Sequence, residues 1–140
     1  MPPSPYHPGK AYYAKIPEEH TVGREQHDNP NKGARPWVIL WSRDHRNTGL
    51  VIAAPVCSEG QANRSTHIAF TVDDVNSDRC EKAGWIRLEQ TRSLSVERLD
   101  RTRVWGTFTE MKVMELRSGI EGMLGSDRMN REQRRRRRTK

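Results

Sequence analysis

The sequence has little with which to build a large core. Of its 140 residues, 33% are hydrophobic and 6% aromatic, and the mean hydropathy is -0.96. No stretch approaches the roughly 18 apolar residues of a membrane-spanning helix, and the proline-rich start lacks a hydrophobic h-region. Neither a membrane span nor a secretory signal is therefore expected, and the chain reads as cytoplasmic with no membrane partner. The two cysteines, Cys57 and Cys80, lie far from any second cysteine or ligand-spaced histidine, so they read as reduced thiols rather than a disulfide. There is no GxGxxG, P-loop, HExxH or GxSxG, and the five histidines have no metal-ligand spacing. No cofactor and no metal are expected. Repeats are also absent. At this length the prior is one domain, and so thin a core favours gaining stability by pairing with a second copy.

Charge is plentiful but segregated. Lys and Arg total 25 against 18 Asp and Glu, a net charge of +7. Eight of the basic residues and one acid (Glu132) fall between Arg128 and Lys140, so residues 1–127 carry 17 charges of each sign and are neutral. The high pI thus belongs to a tail, and by itself does not make the body a nucleic-acid binder. The segment 126–140, with five consecutive arginines at 134–138, is expected to be self-repelling and disordered. The opposite end, residues 1–8, holds four prolines and is expected to be an extended, poorly ordered arm.

Between these ends, residues 9–125 read as the folded domain. Its organising stretch is Ala34–Ser58. Trp37, Ile39 and Trp41 alternate with Val38, Leu40 and Ser42, the period of a strand. Arg43–Gly49 supplies turn chemistry, and Leu50–Val56 is apolar on both faces, as in a central strand closed by Pro55. A first strand is expected over 9–16 and others over 66–72, 84–90 and 103–107, with a short helical turn between 91 and 102. The polar segment 18–33 is longer than most connections in a compact domain, which marks it as functional or disordered. Thr107-Phe-Thr-Glu110 has capping-box spacing, predicting a helix from about residue 108. Val113, Leu116, Ile120 and Met123 form its apolar stripe, read as core packing, and Gly125 is its expected C-cap. The sum is a mainly β chain, a small barrel or curled antiparallel sheet with one helix packed on it.

Chemistry concentrates in Gly84–Gln90. Strand periodicity puts Trp85, Arg87 and Glu89 on one face and Ile86 and Leu88 on the inner one. On pattern alone, Arg87 and Glu89 form a solvated ion pair contributing at most about 1 kcal/mol. His67 with Cys57 suggests a thiol nucleophile only weakly, because nothing links the two residues in the sequence.

Four segments in order resemble the MazF/PemK family of toxin endoribonucleases: Gly23-Arg-Glu-Gln26, Arg35-Pro-Trp-Val-Ile-Leu40, Asn47-Thr-Gly-Leu-Val-Ile-Ala-Ala-Pro-Val-Cys-Ser58 and Gly84-Trp-Ile-Arg-Leu-Glu-Gln-Thr-Arg92. The resemblance spans about residues 9–125. It implies an SH3-like barrel of the MazF/PemK/CcdB type with a C-terminal helix, and a homodimer. It also implies the toxin of a type II toxin–antitoxin system, one that cleaves single-stranded RNA without metal and is neutralised by a cognate antitoxin. Carried over by motif, the catalytic arginine and acid fall on Arg87 and Glu89, and the Arg-Pro arginine on Arg35. The substrate-binding positions fall on Arg24, Glu25, Cys57 and Ser58. The chain departs from the family pattern in placing Cys57 for a threonine, Glu89 for an aspartate, Arg24 where some members have histidine, and extra residues between Gln26 and Arg35.

Those residue types suit the reaction. The 2′-hydroxyl of RNA can attack its neighbouring phosphorus if a base takes its proton, donors stabilise the phosphorane and the leaving 5′-oxygen receives a proton. Guanidinium groups match phosphate oxygens bidentately. Arg35 and Arg87 would then hold the phosphorane charge, Glu89 would act as base or orient Arg87, and Cys57 and Ser58 would hydrogen-bond the phosphate. The competing expectation is a non-catalytic barrel that binds a protein, as gyrase-poisoning toxins of this fold do, or a nucleic acid.

Overall fold

The computed structural model describes residues 6–17, 21, 34–43 and 45–138, the last of these from 126 onward as backbone alone. The elements are β1 (Lys10–Ala14), β2 (Arg35–Trp41), a short helix α1 (His45–Thr48), β3 (Leu50–Cys57), β4 (His67–Phe70), β5 (Val75–Asn76), β6 (Gly84–Arg87), β7 (Arg92–Ser95), β8 (Leu99–Phe108) and the long helix α2 (Glu110–Arg138). The strands form one antiparallel sheet in the order β4-β6-β3-β2-β1-β8-β5, with β7 added on β3. This path is open: no pairing joins β4 to β5.

The β2–β3 hairpin sits at the middle, as the sequence predicts, because its alternating apolar residues supply both faces. Val38, Leu40, Ala54 and Val56 point into a core shared with α2, where Val113 and Leu116 close it. Trp37, Ile39, Val51 and Ala53 point the other way, into a second core with Tyr12, Leu94 and Leu99. The turn between them holds α1 and ends at Gly49, whose φ of 68° is the left-handed conformation glycine tolerates.

Several elements differ from the sequence expectation. Pro55 lies inside β3 opposite Trp37, rather than ending it, and Leu50 and Ile52 are exposed, so the strand is buried on both sides only in its second half. β8 continues to Phe108, whose N–H donates to Gly9 O at 2.8 Å. That ladder bond keeps Thr107 in the sheet, so α2 starts two residues late and is capped by Thr109, which accepts from Lys112 N–H at 3.3 Å. Gly125 does not end the helix. No proline follows it and arginine is a good helix former, so the backbone of α2 runs on to Arg138 where a disordered tail is expected.

Two contacts seat α2 against the sheet. Lys112 is buried, and its Nζ donates to Ala69 O at 2.9 Å and pairs with Glu115 at 2.6 Å. Gly119 passes so close to Leu88 that a Cβ there would lie 2.5 Å from Leu88 Cδ1. The helix therefore runs directly behind the turn that carries Glu89.

Candidate active site

β6 ends at Arg87, three residues short of the strand expected over 84–90. Leu88 N–H donates to Thr66 O at 2.8 Å and Thr91 N–H to Leu88 O at 3.1 Å, which winds Leu88–Gln90 into a 3₁₀ turn. Ile86 and Leu88 are fully buried, as their apolar character requires. Arg87 and Glu89 remain on the same side, and Arg87 Nε donates to Glu89 Oε1 at 2.9 Å.

This is not the freely solvated pair that pattern alone suggests. The two side chains are 29% and 30% exposed, and the same carboxylate oxygen meets His67 Nε2 at 3.0 Å. His67 itself is buried. Strand register places it there, because His67 on β4 stands opposite Arg87 on β6. Its other ring nitrogen, Nδ1, accepts the backbone N–H of Gln61 at 2.9 Å. With Nδ1 occupied as an acceptor, the neutral ring carries its proton on Nε2 and donates it to Glu89. Burial works to raise the Glu89 pKa, but hydrogen bonds from its own backbone and from the Arg87, Thr66 and His67 side chains outweigh it. The net shift is downward. Glu89 is thus held as a carboxylate.

The second half of the site comes from the hairpin. Arg35 opens β2 and Cys57 ends β3, and Arg35 Nη1 donates to Cys57 Sγ at 3.3 Å. Cys57 pairs with Trp85 on β6, two residues from Arg87. Burial pushes the Cys57 thiol up, although the Arg35 and Arg87 charges and the Arg35 hydrogen bond pull the other way. A thiol held protonated is a weak hydrogen-bond donor and a poor nucleophile. Ser58 follows it, exposed, at the end of the strand.

Arg35, Cys57, Ser58, Arg87 and Glu89 therefore gather at one end of β3 and β6. Arg24 and Glu25 lie outside the described residues. His67 is the member that the sequence placed only with Cys57; its bond is to Glu89. Among the described residues, no three His, Cys, Asp or Glu side chains converge as a metal site. No helix among them is long and apolar enough to cross a membrane.

The family model for PemK-like, MazF-like toxins of type II toxin–antitoxin systems matches residues 8–124, nearly the whole folded body. The chain belongs to the MazF/PemK toxin family. No curated protein matches it closely. Among solved structures, MazF (Form-I) from Deinococcus radiodurans is 20% identical, with a TM-score of 0.59 over 84% of this chain and 94% of that one. The Mycobacterium tuberculosis toxin MazF-mt6 is 16% identical, with a TM-score of 0.58 over 83% and 96%. An endoribonuclease in complex with its cognate antitoxin from Mycobacterial species is 19% identical, with a TM-score of 0.59 over 84% and 93%. At such identities the likeness is one of fold: a mainly β antiparallel sheet with a C-terminal helix. Because the family match stops at 124, the arginine-rich end of α2 lies beyond the part that defines a MazF/PemK toxin.

Proposed function

We propose that this MazF/PemK toxin is a metal-independent endoribonuclease that cuts single-stranded RNA through the RNA's own 2′-hydroxyl. The observation that carries the reading is the joining of Arg87, Glu89 and buried His67 beside the Arg35–Cys57 pair. Arg35 and Arg87 supply two fixed positive charges for the scissile phosphate. Glu89, kept ionised, takes the 2′-proton or aims Arg87, and His67 fixes the carboxylate's position. As the 2′-oxygen bonds to phosphorus the P–O5′ bond breaks, and the leaving 5′-oxygen takes a proton from the Glu89 carboxyl or from water. Ser58 and Cys57 hydrogen-bond the phosphate, Cys57 through its thiol where the family has a hydroxyl. Arg24 and Glu25, assigned by motif alone, complete the substrate-binding set. We take the curl of the sheet as an SH3-like barrel.

The chain acts in the cytoplasm as a homodimer restrained by a cognate antitoxin. The dimer is supported by an apolar face on which Trp41, Leu50 and Ile52 are 40%, 41% and 37% exposed. Such a face on a chain with so thin a core suits a second copy. The antitoxin is supported by family membership and by the neighbour solved with its own.

The test is direct. Incubated with a long single-stranded RNA in EDTA, the purified toxin produces discrete fragments on a sequencing gel. An intact RNA in EDTA that is cut on adding Mg²⁺ removes metal independence. An RNA left intact under both conditions leaves the non-catalytic binding module as the reading.

The basic end of α2 has a separate role, as an arm that holds RNA without reading its sequence. Deleting residues 128–140 should weaken RNA affinity to a similar degree for all sequences. Each phosphate the arm no longer neutralises should flatten the slope of log affinity against log salt by ~0.7. An unchanged salt slope after the deletion removes the arm from RNA binding.

A further inference from the structure

A cavity of about 240 Å³ opens beside the proposed site, and Cys57 and Ser58 form part of its wall. Its floor is apolar and aromatic: Pro36, Phe70 and Trp105, the last two stacked edge to face with centroids 6.0 Å apart. Its outer wall is the loop before β6, where Arg79, Glu81 and Lys82 are exposed. The volume is below the ~300 Å³ at which pockets for drug-sized ligands begin, and suits one flat ring.

The wall is built rather than loose. Ser77 Oγ donates to Trp105 O and accepts the N–H groups of Arg79 and Cys80, each at 3.1 Å. Cys80 Sγ donates to Lys82 O at 3.4 Å. These bonds tie the loop to β8 and fix its turn. Outside the cavity, the Arg79 guanidinium lies 5.7 Å from the Tyr13 ring centre and that of Arg103 lies 4.5 Å from it. Cationic and aromatic groups thus continue from the cavity mouth along the surface, the combination that holds a nucleic-acid strand by its bases and phosphates together.

We propose that this cavity is a nucleobase subsite of the toxin. It takes one base of the RNA strand adjoining the scissile phosphate, while Arg79 and Lys82 hold the sugar–phosphate backbone. The proposal rests on the endoribonuclease reading and extends it by naming where one base is bound. A phosphate held by Arg35 and Arg87 leaves its neighbouring base within reach of the wall that Cys57 and Ser58 share with the cavity. The aromatic floor accepts any base face, and the Glu81 carboxylate beside two cations offers both acceptor and donors to a base edge.

The experiment is an abasic scan on an RNA blocked against cleavage by a deoxyribose at the cut position, with binding followed by fluorescence anisotropy. Removing one base next to the scissile phosphate should weaken binding to the parent toxin roughly tenfold, the worth of one stacked base. In Ala83→Trp, where an exposed alanine on the cavity wall becomes a plug, intact RNA should bind as weakly as the abasic one does to the parent. The abasic change should then cost nothing further. The double variant Arg79→Ala/Lys82→Ala should weaken intact RNA and flatten the salt slope by ~0.7 for each phosphate left without its cation. An abasic penalty that persists in full in Ala83→Trp overturns the subsite, as does a scan with no sensitive position. A parent that neither binds nor cuts RNA instead removes the nuclease reading beneath it.

Discussion

Arg87→Ala should cut RNA about 10²–10³-fold more slowly than the parent, the usual loss when one charge partner of a developing oxyanion is removed. The fold should survive, because β6 and the turn after it are anchored by Ile86 and Leu88, both fully buried, while the Arg87 side chain is 29% exposed. Glu89 also keeps its bond to His67, so the truncation does not strand the carboxylate. Arg87→Lys separates charge from geometry. It restores a cation but not the planar fork, and its rate should fall between the two. Rates are read from single-turnover cleavage of a labelled RNA, with thermal melts of each variant alongside. If Arg87→Ala melts normally and cuts at the parent's rate, the site is elsewhere.

What can be read from the sequence is local. The hairpin of β2 and β3 follows from alternation over Trp37–Trp41 and from Gly49, all within one stretch of chain. The inward pair Ile86 and Leu88, and with it the shared side of Arg87 and Glu89, follows from two-residue spacing. His67 is not legible in its role, because its place opposite Arg87 is set by strand register across a loop. The signal available is a histidine in the short apolar stretch 66–72 that precedes the Gly-Trp-Ile-Arg strand. The 3₁₀ turn at Leu88–Gln90 depends on a carbonyl at Thr66, again a distant partner. β5 and β7 escape a linear reading for the same reason. β5 is two residues long and pairs only with Phe108 and Thr107 of β8, and β7 is mixed in composition and becomes a strand by pairing with β3. The late start of α2 has a similar cause, since a ladder bond from Phe108 to Gly9 outweighs a capping-box pattern. The bland expectation for Arg87 and Glu89 fails because solvation depends on neighbours from β4 that a linear pattern does not contain.

The second large effect concerns the substrate's own hydroxyl. Cys57 is held as a thiol by burial, and its bond is to Arg35 rather than to a base, so it is poorly prepared to attack phosphorus. Glu89 is held ionised by its donors, which leaves it an acceptor for a hydroxyl brought beside it, while the same donors make it a weaker base than a free carboxylate. These features favour a nucleophile supplied by the RNA. Replacing the single ribose 5′ to the scissile phosphate with deoxyribose should therefore stop cleavage while preserving binding, because every phosphate proposed to meet Arg35 and Arg87 remains. The oxygen that attacks becomes part of the product, so normal RNA should end in a 2′,3′-cyclic phosphate, with a 5′-hydroxyl on the other fragment. Mass spectrometry of the fragments reads both ends. A water nucleophile would leave a linear phosphate and would tolerate the deoxy position. Efficient cutting there, or a 5′-phosphate on the downstream fragment, would overturn 2′-hydroxyl attack even with the nuclease activity intact.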